Sequence, residues 1–74
     1  MENQHQKIKG YRDLSQEEID MINNIKETSE TLRVMITSLD RTETTDKRWV
    51  AMAKSNLQTG IMYAVRSVAQ PESF

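Results

Sequence analysis

The sequence predicts an all-α protein built on two long helices that form an αα-hairpin. Two stretches carry apolar residues three or four positions apart, which is the spacing of one face of a helix. A short polar segment, RTETTD at residues 41–46, separates them and is typical of a turn. No proline or glycine interrupts residues 15–41, and the second stretch meets its first proline at Pro71. We therefore predict helices over residues 15–41 and 46–69.

The segment before the first helix, residues 1–13, is predicted to be an arm. It is polar, contains Gly10 and shows no apolar periodicity. A short extra helix within residues 1–10 is the alternative, since KIK at residues 7–9 permits a helix without requiring one. In either form the two long helices supply the core.

Two local signals mark the start of the first helix. Ser15 followed by Glu18 is a capping box, in which each side chain bonds the backbone N–H of the other residue. Leu14 and Ile19 occupy the positions of a hydrophobic staple around that cap. At 1.5 Å per residue the helix would extend about 40 Å. Its predicted core stripe consists of Ile19, Ile22, Ile25, Leu32, Ile36 and Leu39.

The second helix follows Asp46, whose carboxylate can cap it, and Pro71 stops it. Gly60 lies on the flank of its apolar face, where a small residue lets another helix approach closely. A simple weak point in the helix is the alternative interpretation of Gly60. The predicted apolar face consists of Val50, Ala53, Leu57, Ile61, Ala64 and Val68.

So short a chain needs support beyond its own core, and the sequence favours partner subunits. Chains below about 70 to 80 residues usually add disulfides, a metal or an oligomer interface. The 74 residues contain no cysteine and a single histidine, His5, so neither a disulfide nor a metal site is predicted. Met52, Met62 and Tyr63 lie away from the predicted face of the second helix, and covering them calls for another copy of the chain.

Charge and hydropathy narrow the classes of function. Ten basic and eleven acidic residues are spread along the chain and give a formal net charge of −1. Binding to DNA or RNA is not expected, because such proteins usually carry a clustered basic surface, whereas a ligand with two or three phosphates is compatible. No apolar run approaches the roughly 20 residues of a membrane span, and the N-terminus lacks a signal core. We expect a cytoplasmic protein with no membrane partner.

No catalytic constellation is visible, and the sequence does not predict an enzyme. Serine lacks a nearby histidine partner, and there is no glycine-rich phosphate loop. Glu17 and Glu18 are explained by the first turn of a helix, where carboxylates are favoured. Neither a cofactor nor a bound metal is expected.

The segment KGYRDL, residues 9–14, places an aromatic ring and a guanidinium together just before the helix cap. Tyr11 can stack on a nucleobase, and Arg12 can bind a phosphate or stack in turn. In the alternative interpretation, Tyr11 folds onto the hairpin and closes its open end. A Tyr-Arg pair alone does not decide between the two.

Three residues on the helices are further candidates for binding an anionic ligand. Lys26 lies about 100° to one side of Ile25 on a helical wheel, and Thr28 lies about 60° to the other side. Lys26 could bind a phosphate where subunits meet, or its stem could cover the rim of an interface. Arg66 lies opposite the Leu57 face, where an acidic residue or a bound phosphate would neutralise it.

Two blocks of the sequence are distinctive: KGYRDLSQEEIDMINNIK at residues 9–26 and DKRWVAMAKSNLQTGIMYAVRSVAQPESF at residues 46–74. The second block is the more specific, because its segments LQTG, VRS and PESF occur in the same order in one known family. Residues 27–45 match only as an amphipathic helix. With these blocks the chain resembles the phage-encoded anti-CBASS cyclic-oligonucleotide sponge family, small helical proteins that sequester immune signalling nucleotides.

The resemblance implies a homohexamer in which short and long helices of several chains interlock. It implies that cyclic dinucleotides such as 3′,3′-cyclic GMP-AMP bind between paired subunits, at Tyr11, Arg12 and Lys26. Cyclic trinucleotides would bind a separate pocket on a three-fold axis, at Thr28 and Arg66. The expected protein sequesters these messengers without degrading them, in the cytoplasm of the infected bacterium, and so blocks activation of a CBASS effector.

Two other classes of function stay open at this point. A structural helical assembly without a ligand shares every packing feature, but it leaves Tyr11, Arg12, Lys26 and Arg66 without a common purpose. A small nucleic-acid-binding regulator predicts a salt-sensitive complex with DNA, which the balance of charges disfavours.

Overall fold

The computed structural model describes residues 13–70 and shows two helices that fold back on each other across a short turn. Helix α1 spans Gln16–Arg41, and helix α2 spans Lys47–Ala69. No strand occurs within the described residues. The all-α hairpin predicted from the sequence is thereby confirmed. The predicted arm lies outside the described residues except for Asp13, so the arm and its short-helix alternative both stay predictions.

Both helices begin at a side-chain cap. The Glu18 N–H donates to the Ser15 Oγ at 3.2 Å, and the Ser15 N–H donates to the Glu18 Oε1 at 2.9 Å. The Asp46 Oδ1 accepts from the N–H groups of Arg48 and Trp49, at 2.9 and 3.2 Å. These bonds satisfy N–H groups that have no acceptor within the helix itself. The capping box predicted at Ser15 is confirmed, and Asp46 caps α2 as predicted.

Side chains of the turn bond back to the end of α1. The Thr42 Oγ1 donates to the Ser38 carbonyl at 2.8 Å, and the Thr45 Oγ1 donates to the Leu39 carbonyl at 2.6 Å. The Lys47 ammonium donates to the Thr42 carbonyl. The last carbonyls of a helix lack intrahelical donors, and these three side chains supply donors there. In many other helices a glycine-containing turn supplies them.

Helix α2 ends with an unusual backbone conformation. Gln70 has a φ of 45°, in the left-handed region, and its N–H donates to the Arg66 carbonyl at 2.8 Å. Glycine is the residue that most often occupies such a position, because it has no Cβ to clash. Pro71, predicted to stop the helix, lies outside the described residues.

The hairpin has a thin core. Ile36, Val50 and Ala69 are its buried apolar residues, and no side chain within residues 13–70 is fully buried. The other members of the two predicted stripes are half-buried, except Leu39, which is 38% exposed. Assigning Leu39 to the core is therefore wrong for the single chain. Leu39 lies about 40° from Ile25 on the helical wheel, at the edge of the stripe, so it borders the neighbouring exposed surface of α1.

Candidate ligand-binding site

The two helices together form a groove whose lining combines apolar side chains with polar and charged ones. Because the helices are antiparallel, positions on one side of the α1 stripe lie beside positions on the same side of the α2 stripe. The groove between them is lined by Glu30, Arg33 and Asp40 from α1 and by Lys54 from α2. We term the surface that carries these four residues the charged face.

The opposite surface of the hairpin carries no charge over most of its length. On a helical wheel it includes no Asp, Glu, Lys or Arg between Met21 and Leu39 of α1, or between Trp49 and Ser67 of α2. We term it the uncharged face, and all twelve of its residues are exposed. They are Met21, Asn24, Thr28, Thr31, Met35 and Leu39 on α1, and Trp49, Met52, Asn56, Gly60, Tyr63 and Ser67 on α2.

Lys26 and Thr28 belong to different faces of the hairpin. Both are exposed, and positions two apart in a helix project about 160° apart. Lys26 lies on the side of α1 that carries Arg33, whereas Thr28 lies near the middle of the uncharged face. The fold therefore does not bring these two predicted site residues to a common ligand within one chain.

Lys26 and Arg33, which lie on the same side of α1, differ in their partners. The Arg33 Nε donates to the Glu30 Oε2 at 2.7 Å, and its Nη2 donates to the same oxygen. The pKa of the Glu30 carboxyl is lowered mainly by hydrogen bonding from Arg33, and further by the positive charge of Arg33. Within residues 13–70 Lys26 has no carboxylate partner. The Lys26 ammonium is therefore better placed than the Arg33 guanidinium to meet an anion.

Arg66 lies in the last turn of α2, on the side turned away from α1. It is half-buried, and no carboxylate of residues 13–70 pairs with its guanidinium. The C-terminal end of a helix favours a positive charge, which accounts for a cation at this position. Thr28 and Arg66 lie on different helices and different surfaces, so a shared pocket would require more than one copy of the chain.

Tyr11 and Arg12, the other residues predicted for a dinucleotide pocket, lie outside the described residues. Lys26 is thus the one member of that predicted pocket that the structure describes. Whether the three residues converge stays a prediction.

Trp49 is a prominent exposed residue that the sequence analysis did not single out. It is 62% exposed at the start of α2, and the Arg48 guanidinium lies 6.0 Å from the centre of its ring. Trp49 lies about 80° from Leu57 on the helical wheel, off the apolar stripe, and that displacement was the available signal.

Two negative findings concern metal binding and membrane insertion. Among residues 13–70, no group of three or more His, Cys, Asp or Glu side chains is arranged to hold a metal ion. Neither of the two described helices is long and apolar enough to cross a membrane.

Comparison with known proteins places these features in context. The family described as Acb2/Tad1, hairpin domain, matches residues 3–69. Anti-CBASS protein 2 of Pseudomonas phage JBD67 is 32% identical over 106 aligned positions, which cover 97% of this chain and 98% of the relative. Because the alignment is longer than the 74 residues of this chain, the relative contains residues without a counterpart here. All five predicted site residues fall inside the family match.

Proposed function

Because the chain belongs to the Acb2/Tad1 hairpin family, as its resemblance predicted, we propose that it is a phage immune-evasion protein that counteracts CBASS by sequestering cyclic oligonucleotides. The observation that carries this proposal is the family match, which spans residues 3–69 and includes every predicted binding residue. The name of the phage relative, Anti-CBASS protein 2, supports the proposed role against CBASS. The site of action is the cytoplasm of the infected bacterium.

Cyclic dinucleotides such as 3′,3′-cyclic GMP-AMP bind, in this proposal, between paired subunits. Tyr11 stacks on a base, while Arg12 and Lys26 contact the phosphates. The exposure of Lys26, and the absence of a carboxylate partner for it within residues 13–70, support this role. A pair of subunits supplies two such ammonium groups, which matches the two phosphates of the ligand.

Cyclic trinucleotides bind a second pocket, formed where Thr28 and Arg66 of different subunits meet around a three-fold axis of a homohexamer. Three Arg66 guanidinium groups converging there would repel one another unless anions neutralise them. A cyclic trinucleotide supplies three phosphates with matching symmetry. The lack of a carboxylate partner for Arg66 within the described residues supports this assignment.

The proposed protein binds its ligands without altering them. Nothing is turned over, so inhibition requires tight binding and a number of sites comparable with the number of messenger molecules. A sponge of this kind lowers the free messenger concentration below the level that activates the effector.

Recovery of the ligand tests sequestration directly. The protein is incubated with 3′,3′-cyclic GMP-AMP, filtered to measure the free nucleotide, and then heat-denatured before the supernatant is analysed by chromatography. Depletion before heating, followed by full recovery of intact nucleotide, is the expected result. Recovery of a linear or hydrolysed product would instead identify an enzyme.

The depletion assay and a separate DNA-binding titration distinguish the two remaining classes of function. An oligomer that depletes neither cyclic dinucleotides nor cyclic trinucleotides would support a ligand-free structural assembly. A complex with duplex or single-stranded DNA that weakens steeply with salt would support a nucleic-acid-binding regulator. Either outcome would overturn the sponge proposal.

A further inference from the structure

We infer that Glu30, held in place by Arg33, recognises guanine in the proposed dinucleotide pocket, an inference that rests on the proposed function. The pocket then prefers a cyclic dinucleotide that contains guanine to one that contains only adenine. Tyr11 and Lys26 do not make that choice, because an aromatic ring stacks on any base and an ammonium binds any phosphate.

Glu30 lies one helical turn beyond Lys26. The two positions are four residues apart, so their side chains project from the same side of α1, about 6 Å apart along the helix axis. The Glu30 side chain is 63% exposed and lines the groove between the helices. A dinucleotide whose phosphate binds the Lys26 ammonium therefore lies beside the turn of α1 that carries the Glu30 carboxylate.

Arg33 holds one oxygen of that carboxylate and leaves the other available. The Arg33 Nε and Nη2 both donate to the Glu30 Oε2. Within residues 13–70, no donor contacts the Glu30 Oε1. Arg33 also lowers the pKa of Glu30, and an ionised carboxylate only accepts hydrogen bonds. Glu30 thus presents an oriented acceptor to the groove.

An oriented carboxylate distinguishes guanine from adenine by their Watson–Crick edges, the edges through which proteins read unpaired bases. Guanine presents two adjacent donors there, its N1–H and its N2 amino group, and one carboxylate can accept both. Adenine presents one amino donor beside the lone pair of N1, and that lone pair repels a carboxylate. The Glu30 carboxylate therefore favours guanine.

Lys54 adds a donor to the same groove from the other helix. It is exposed, it lines the groove, and no carboxylate of residues 13–70 pairs with its ammonium. An ammonium only donates, so it suits the O6 and N7 acceptors of guanine. Adenine carries an amino group where guanine carries O6, and two donors repel each other. The acceptor on α1 and the donor on α2 together match the donors and acceptors of guanine.

The groove has room and a suitable floor for a base. Its volume of about 730 Å³ falls within the roughly 300 to 1,000 Å³ of pockets that bind small molecules. Half-buried apolar side chains line it beside the charged ones, among them Leu32, Leu57 and Ile61. Such pockets combine an apolar lining with a few polar groups that fix the orientation of the ligand.

Two ligands that differ only in their bases test the inference. Cyclic di-GMP and cyclic di-AMP, both 3′,3′-linked, share one backbone and its two phosphates. In isothermal titration calorimetry of the full chain, we expect cyclic di-GMP to bind roughly tenfold more tightly or better. Glu30→Gln should bring the two affinities to within about twofold, mainly by weakening cyclic di-GMP, because the amide loses the charge and one acceptor oxygen.

Glu27→Gln is the matched control. It removes the same charge beside Lys26 in the chain, but Glu27 is exposed outside the groove, so the preference for guanine should stay as in the wild type. Arg33→Gln should reduce the preference, because Glu30 then loses its orientation. Lys26→Ala should weaken both ligands alike. Circular dichroism and light scattering check that each variant keeps its helices and its oligomer.

The outcomes separate guanine recognition from sequestration itself. Equal binding of the two ligands by the wild type, or an unchanged preference in Glu30→Gln, would overturn guanine recognition by Glu30 and leave the proposed sequestration standing. A wild-type chain that binds neither ligand, nor 3′,3′-cyclic GMP-AMP, would overturn both.

Discussion

Lys26 and Thr28 project from opposite faces of the hairpin, although a single residue separates them in the chain. Lys26 lies on the side of α1 that borders the charged groove, and Thr28 lies on the uncharged face. One ligand cannot contact both side chains of the same chain without spanning the helix. If both residues bind nucleotides, they serve different pockets.

The first prediction concerns the dinucleotide pocket. Tyr11→Ala should weaken binding of 3′,3′-cyclic GMP-AMP through the loss of base stacking, worth about 1 to 3 kcal/mol per base. Lys26→Ala should weaken it through the loss of a charge-assisted phosphate contact. Isothermal titration calorimetry measures both, with light scattering to confirm that each variant stays oligomeric. Unchanged affinity in both variants would remove these residues from the site.

The second prediction separates the two ligand classes. Arg66→Ala should strongly weaken binding of a cyclic trinucleotide and leave cyclic dinucleotide binding nearly intact, because the two proposed pockets share no residue. Lys26→Ala should do the reverse. Titration of each variant with both ligands measures the contrast, and parallel loss of both ligands in either oligomeric variant would point to one shared pocket.

The third prediction concerns the start of α1. Ser15→Ala removes the acceptor for the Glu18 N–H and should lower the free energy of unfolding by about 1 kcal/mol. Ser55→Ala, at an exposed position inside α2, is the matched control and should be neutral or slightly stabilising. Chemical denaturation at one fixed protein concentration measures both. A control as destabilising as Ser15→Ala would contradict the capping explanation.

The fourth prediction concerns the end of α2. Gln70 has a φ of 45°, a conformation that a residue with a Cβ adopts at a cost. Gln70→Gly should therefore stabilise the protein by up to about 1 kcal/mol, seen as a higher denaturation midpoint. A lower midpoint would mean that the Gln70 side chain, whose Nε2 donates to the Ser67 carbonyl, matters more than the backbone.

The fifth prediction is a pH dependence at the charged face. Arg33 lowers the pKa of Glu30, so the ion pair contributes above the ordinary carboxyl pKa and is lost as the pH falls through the lowered value. Both side chains are well exposed, so the effect on stability should be small. Arg33→Gln should return the Glu30 pKa towards its ordinary value in an NMR titration.

Sequence patterns were sufficient to predict the hairpin and its caps. Both depend on local features: the three-and-four spacing, the pair Ser15 and Glu18, and the Asp46 cap. Because the fold has little tertiary packing, little in it overrides these local preferences. Leu39 was misplaced because periodicity identifies a face of a helix but not where the edge of that face loses contact with the partner helix.

The candidate site was less predictable, for a physical reason. The opposite projection of Lys26 and Thr28 follows from helix geometry alone, but the pairing of Arg33 with Glu30 depends on side-chain conformations that spacing does not determine. Trp49 lies about 80° from Leu57, off the apolar stripe, so the pattern that identifies the core does not include it. Contacts between subunits also depend on how the copies are arranged, which the helix periodicity of one chain does not determine.

The five-residue connection between the helices has a kinetic consequence. Neighbouring helices joined so closely in the chain form contacts of low sequence separation, and such hairpins fold within microseconds to milliseconds. Association of copies is a slower, bimolecular event whose rate depends on protein concentration. With pockets formed between subunits, as proposed, freshly synthesised hairpins exist before any pocket does. The capacity to capture messenger would then rise more steeply during infection than the amount of protein.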